Sequence, residues 1–161
     1  MEPLDPNAFG EEQMCFGCGP TNTHGMNLRF FRDGDAVVTT LQPRPGWEGA
    51  PGIVHGGLQA ALCDEVAAWT VFTLCGSYGF TTTLKVRYLR PARHALPIEA
   101  RGELLSHEGA RARVEVTLTQ ADEAVLSGTV DFFLPTREQA ASIVGDALPD
   151  HWRDLARDEP G

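Results

Sequence analysis

At 161 residues, with 42% hydrophobic and 22% charged side chains, the chain has the size and make-up of one globular domain with a sizeable core. A formal net charge of −9 argues against a nucleic-acid partner, because no local basic stripe offsets it. No apolar run is expected to reach membrane-spanning length, and the acidic opening MEPLDPNAFGEEQ has the wrong charge for a signal or transit peptide; the expectation is a cytoplasmic protein with no membrane partner.

Residues 1–23 read as an N-terminal arm, punctuated by Pro3, Pro6, Gly10, Gly17, Gly19 and Pro20. The arm carries Cys15-Phe-Gly-Cys18, a spacing used by zinc knuckles and redox pairs. A zinc site needs two further ligands. His24 is a candidate third, nothing marks a fourth, and Cys63 and Cys75 do not form a second such pair. The expectation is therefore no metal and no cofactor, with the cysteines packing a glycine-rich arm. Next come two short strands, Met26–Arg32 and Asp35–Gln42, joined at the Asp33-Gly34 turn signal. A Pro/Gly loop with Trp47 and Glu48 follows, and then a helix from Gly56 to about Cys75.

Four stretches of strand character follow the helix. Phe80–Leu89 alternates Thr82, Leu84, Val86 and Tyr88 against Thr81, Thr83, Lys85 and Arg87. Leu96–Ser106 is the next. Arg111–Gln120 sets Val114, Val116 and Leu118 against polar neighbours, and Glu123–Leu134 follows a turn at Ala121-Asp122. Meander spacing is expected for the four. Residues 24–135 make the main domain; residues 136–161 read as a short C-terminal helix and a tail. The order of two strands, one long helix and four strands predicts an α+β fold with one helix across a strongly curved antiparallel sheet. The open face and sheet edge are then left for solvent or for an oligomer.

The segment Gly52–Leu74 carries the chemistry. Its His55-Gly56-Gly57 turn opens the helix, where glycine lets an anionic oxygen approach free backbone N–H groups. Asp64 sits nine residues after His55 in an otherwise apolar run. Burying a charge costs several kcal/mol unless it is paired or neutralised, on the order of the penalties in. On a helical wheel, Gly57, Ala60, Ala61, Asp64, Ala68 and Val71 share one side, leaving space beside the carboxylate. Leu58, Leu62, Trp69 and Phe72 share another, expected to pack on the sheet. Glu65 lies among these bulky residues and reads as a partnered structural acid, although it is the rival base. The bland alternative makes Asp64 a buried acid paired with an Arg and His55 a local shaper of the turn. An oxyanion site and a carboxylate two turns apart suggest acyl chemistry.

Gly52-Ile-Val-His55-Gly56-Gly57 with Leu62-Cys-Asp64-Glu65 resembles the hotdog-fold acyl-CoA thioesterases, in particular the phenylacetate-degradation type. Cys15-Phe-Gly-Cys18-Gly19 through His24-Gly-Met-Asn-Leu28 is similar to the arm and first strand of that group, and Val86-Arg-Tyr-Leu-Arg-Pro-Ala92 to the end of the strand after the helix. The resemblance covers roughly residues 14–134. It implies a hotdog fold, a curved antiparallel sheet wrapped around one long helix, working as a homodimer or homotetramer with sites between subunits. It implies an acyl-CoA substrate, Asp64 as base or nucleophile, and the Gly56 amide as the group that polarises the carbonyl. His55 and Gly57 support the turn, and Thr81 helps to hold a nucleophilic water. Where several members carry Asn or Gln, six residues before the histidine, this chain has Gly49. Arg90, Arg93 and His94 are candidate contacts for the coenzyme A phosphates, against the plainer reading of a solvated basic turn. No G-x-S-x-G elbow or H-E-x-x-H motif is present. The rival function is a non-catalytic acyl-CoA-binding or regulatory module on the same fold.

Overall fold

The computed structural model describes residues 1–158. Two short strands, β1 (Glu2–Pro3) and β2 (Phe31–Asp33), precede β3 (Ala36–Leu41) and the helix α1 (Gly56–Cys75). Four strands follow: β4 (Phe80–Tyr88), β5 (Ile98–Glu108), β6 (Arg111–Gln120) and β7 (Glu123–Phe133). Helices α2 (Arg137–Val144) and α3 (Asp150–Asp154) close the described chain. The expected tail is thus mostly short helix, and residues 159–161 lie outside the described residues.

All strands pair antiparallel in one sheet ordered β1-β2-β3-β5-β6-β7-β4. The curved sheet wraps α1, which lies mainly across β3, β5 and β6. This is the hotdog architecture. The meander expectation holds for β5, β6 and β7 and fails for β4, which pairs with β7 at the far edge. The connection from β4 to β5 contains Pro91 and Pro97 instead of a two-residue turn, so the two strands are free to part. By contrast, Ala121 (φ 48°) and Asp122 (φ 63°) form the left-handed pair that a tight β6–β7 hairpin requires. The first predicted strand is also shorter than expected. Residues 26–30 run outside any ladder but bury Met26, Leu28 and Phe30 in alternation.

The helix is 20 residues long with a mean hydropathy of 1.2 in its most apolar window, so by length and composition it could cross a membrane. That corrects the expectation that no apolar run is so long. In this fold the apolar length serves burial instead, because both the sheet and the arm cover it. Its sheet-facing stripe is also different from the one expected. Gln59, Leu62, Cys63, Val66, Ala67 and Thr70 are the buried set at i, i+3, i+4 spacing. Trp69 is buried, 2% exposed. It stacks on Phe30 at 4.8 Å and meets Phe9 edge-on at 5.4 Å, under the arm.

The stripe can lie so close because two strand residues lack side chains. A Cβ on Gly102 would sit 2.3 Å from Thr70 Oγ1 and 3.0 Å from Val66 Cγ1. One on Gly128 would sit 2.6 Å from Cys63 Sγ. Around these points Val114, Val116, Leu118, Leu126 and Val130 are fully buried. Overpacking a tight core costs about 1–3 kcal/mol. Gly102→Ala should destabilise the protein by about that amount, read as a lower midpoint in urea unfolding at an unchanged slope.

Candidate active site

Three of the four amides in the first turn of α1 are already satisfied. The His55 ring caps the helix, its Nδ1 accepting the Gly57 N–H at 2.9 Å. The His55 carbonyl accepts from Leu58 (3.1 Å) and Gln59 (3.2 Å). Among the described residues, the Gly56 N–H alone of these four has no partner, at the positive end of the helix dipole. Gly56 lines an open groove of about 500 Å³ together with Gly49, Ile53, Gln59, Tyr88 and Arg90. His55 is thus a shaper of the turn, and it leaves one amide free for a ligand.

Tyr88 at the end of β4 donates its hydroxyl to the Gly56 carbonyl at 2.7 Å. A Cβ on Gly56 would meet that hydroxyl at 3.2 Å. Gly56 is not among the positive-φ residues, so what constrains a side chain here is this close approach and not the backbone angles. Gln59 is buried; its Nε2 donates to Val54 O at 2.9 Å, while its Oε1 has no partner. Neither Tyr88 nor Gln59 was singled out from the sequence. The available signal for Gln59 was a polar residue on the stripe that faces the sheet.

Asp64 is half-buried on the small-residue side of α1. Its Oδ1 accepts a 2.7 Å hydrogen bond from Thr81 Oγ1 at the start of β4. A register shift between Thr81 and Thr83 marks a bulge there. The Thr81 hydroxyl, expected to hold a water, is here bound to Asp64 itself, and no Arg pairs with the carboxylate among the ion pairs of the described residues. Asp64 and Gly56 are eight residues apart on one helix, about 12 Å along its axis. Within one chain they cannot both touch the same carbonyl group.

The candidate phosphate contacts divide. Arg90 is exposed beside the groove and forms a 2.6 Å ion pair with Glu123. Arg93 is exposed, and its main chain is held by Gln120 through N–H (2.7 Å) and carbonyl (2.8 Å) bonds. The His94 ring is occupied in binding the Arg44 carbonyl at 2.7 Å, which anchors the loop before α1. At Gly49, the N–H donates to Ile53 O at 3.0 Å, closing a tight turn.

The opposite side of α1 gathers a second set of polar groups. Glu65 accepts from the Cys15 thiol at 3.4 and 3.5 Å, so the arm cysteine supplies its partner. Burial pushes the Glu65 carboxyl up to about 8. The hydrogen bond from Cys18 brings the Cys15 thiol down to about 5, while the same bond and burial raise Cys18.

With this geometry in view, the comparisons with known proteins agree with one another. Residues 51–127 match the family model described as thioesterase superfamily. The acyl-coenzyme A thioesterase THEM5 of Mus musculus is 45% identical over 51 residues, 32% of this chain and 20% of that protein. The match therefore spans about a fifth of that relative's length. A solved thioesterase superfamily protein superposes with a TM-score of 0.69 at 27% identity, covering 82% of this chain and 69% of the other. A hypothetical thioesterase from Streptococcus pneumoniae, solved with coenzyme A, superposes with a TM-score of 0.61 at 23% identity, covering 66% and 87%, a likeness of fold. The chain is thus similar to the hotdog-fold thioesterases in sequence around α1 and in fold over most of its length.

The free amide can be tested with a side chain that removes no functional group. Gly56→Val should lower kcat/KM for an acyl-CoA at least tenfold, about 1.4 kcal/mol of transition-state stabilisation, with the melting temperature held. A matching drop in melting temperature would instead show that the branched side chain disrupts the turn against Tyr88.

Proposed function

We propose that the chain hydrolyses an acyl-CoA to coenzyme A and a carboxylic acid, at a site made by two copies of itself. The observation that carries this is the arrangement at the two ends of β4. Thr81, at one end, holds Asp64, and Tyr88, at the other, holds Gly56. β4 is an edge strand, exposed along most of both faces, with Leu84 38% and Tyr88 50% exposed. A bare edge of this kind invites a strand. Antiparallel pairing of β4 with its own copy about a two-fold axis near Leu84 and Lys85 brings Thr81 of one chain opposite Tyr88 of the other. Asp64 of one protomer then faces Gly56 of its partner, which removes the separation of about 12 Å along a single helix.

In this reading the thioester carbonyl oxygen accepts the Gly56 N–H. Negative charge develops there as the tetrahedral intermediate forms, and one such donor is worth about 3–4 kcal/mol. Asp64, fixed by Thr81, takes the proton of an attacking water, or its own oxygen attacks to give an anhydride that water then opens. The carbon–sulfur bond breaks, and the coenzyme A thiolate leaves and is protonated. The exposed Arg90 and Arg93, beside the mouth of the groove, offer charge to the phosphates. The acyl-CoA substrate is supported by the mouse relative, and the coenzyme A by the streptococcal one. A binding module without catalysis has no use for a carboxylate clamped by a threonine in a small-residue face.

Asp64→Asn should lower kcat by about 10² or more with the fold intact. Activity within a few-fold of the unaltered protein would remove Asp64 from the mechanism. Composition from two chains makes a sharper prediction. Asp64→Asn and Gly56→Val chains, each impaired alone, are unfolded and refolded together in equal amounts. Half of the dimers are then mixed, and each holds one intact site, so about one quarter of the original activity returns. No recovery from well-folded mixed dimers would mean that both groups act within one chain.

A further inference from the structure

We propose that Cys15, Cys18 and Glu65 form a binding site for a thiophilic divalent cation such as Zn²⁺, fastening the N-terminal arm to α1. The side-chain donor atoms of the three residues lie within 4.8 Å of one another. The Cys15 Sγ is 3.4 and 3.5 Å from the two Glu65 oxygens. A tetrahedral ion with ordinary zinc–sulfur and zinc–oxygen bonds sets such a pair about 3.6 Å apart, so little movement is needed to admit it.

The local backbone is built for this approach. A Cβ on Gly17 would fall 2.4 Å from the Glu65 carboxyl carbon, so only glycine lets the helix side chain reach the loop. Gly19 donates its N–H to the Cys15 carbonyl at 3.0 Å, closing the turn that brings the two sulfurs to one side. Each sulfur also receives a donor: the Cys18 N–H points at Cys15 Sγ (3.5 Å), and the Gln13 amide at Cys18 Sγ (3.6 Å). Donors aimed at sulfur support thiolate ligands of a metal.

No basic side chain completes the cluster. Two sulfurs and a carboxylate are gathered with no Lys, Arg or His paired to Glu65 among the ion pairs of the described residues. Buried carboxylates normally have such a partner. A bound cation supplies it, with the ligand protons released to solvent. Cys18 is buried, while Cys15 is half-buried, which leaves the ion a way in and a fourth position for water. The sequence expectation of no metal rested on too few ligands, with His24 the one candidate third. The structure replaces His24 by Glu65, fifty residues along the chain.

The test titrates Co²⁺, then Zn²⁺, into full-length protein stripped with chelator and kept reduced by a phosphine. The expected result is one equivalent of Co²⁺ per chain with a sulfur-to-cobalt charge-transfer band, displaced by Zn²⁺, and a higher melting temperature with the ion bound. Cys15→Ser should lose the band, and Glu65→Gln should keep it with at least tenfold weaker binding. Thermal melts show whether each variant is folded. Absence of the band in the unaltered protein, equal binding by folded Cys15→Ser, or a Cys15–Cys18 disulfide that forms in air despite saturating Zn²⁺ would each overturn the proposal. None of these readings uses hydrolysis, so they stand apart from the fate of Asp64.

Discussion

Everything in this molecule depends on how closely α1 lies on its sheet. Gly102 and Gly128 remove the two side chains that would hold the helix away, and Thr70, Val66 and Cys63 settle into the space. A contact this tight tolerates neither added volume nor a void. It sets the depth of the helix and, with it, the direction in which every other α1 side chain leaves the axis.

From that one contact the helix acquires three faces with different neighbours. The stripe from Gln59 to Thr70 belongs to the sheet. The Trp69–Phe72 side belongs to the arm, whose Phe9 also meets Trp152 of α3 at 5.0 Å, tying the two ends of the chain together. The third side, with Ala60, Ala61, Asp64 and Ala68, is only half-covered. A fold in which one helix serves as the core of a whole sheet needs most of that helix for packing. The uncovered side is where chemistry can sit.

Much of this could be read from the sequence, for identifiable reasons. The bounds of α1 follow from its glycine start, its periodicity and Gly76 beyond its end, which takes a left-handed φ of 69°. The alternation of Val114, Val116 and Leu118 gave the buried face of β6, because period-2 patterning reports burial directly. Thr81 was singled out by family resemblance, as a hydroxyl for a water; its hydrogen bond to Asp64 was not foreseen. Three things stayed hidden because they are contacts between distant segments. The partner of β4 depends on a connection that the local pattern does not encode. The sheet-facing stripe depends on glycines in strands that follow the helix by tens of residues. Glu65 was read as a partnered acid, but which residue is its partner stayed hidden because that residue, Cys15, lies in the arm.

Glu65 and Asp64 are consecutive, and on a helix consecutive side chains point about 100° apart. One is gripped by Cys15 of the arm, the other by Thr81 of the sheet. Mechanically, α1 is an axle held at two azimuths in a single turn. It cannot roll without releasing one grip or the other. Sliding is opposed as well, by the Tyr88 hydroxyl bound to the Gly56 carbonyl and by the Val54 N–H bound to the Ala92 carbonyl just ahead of the helix. The Asp64 carboxylate is thereby indexed against the whole body of the protein, on an element with almost no freedom left to move.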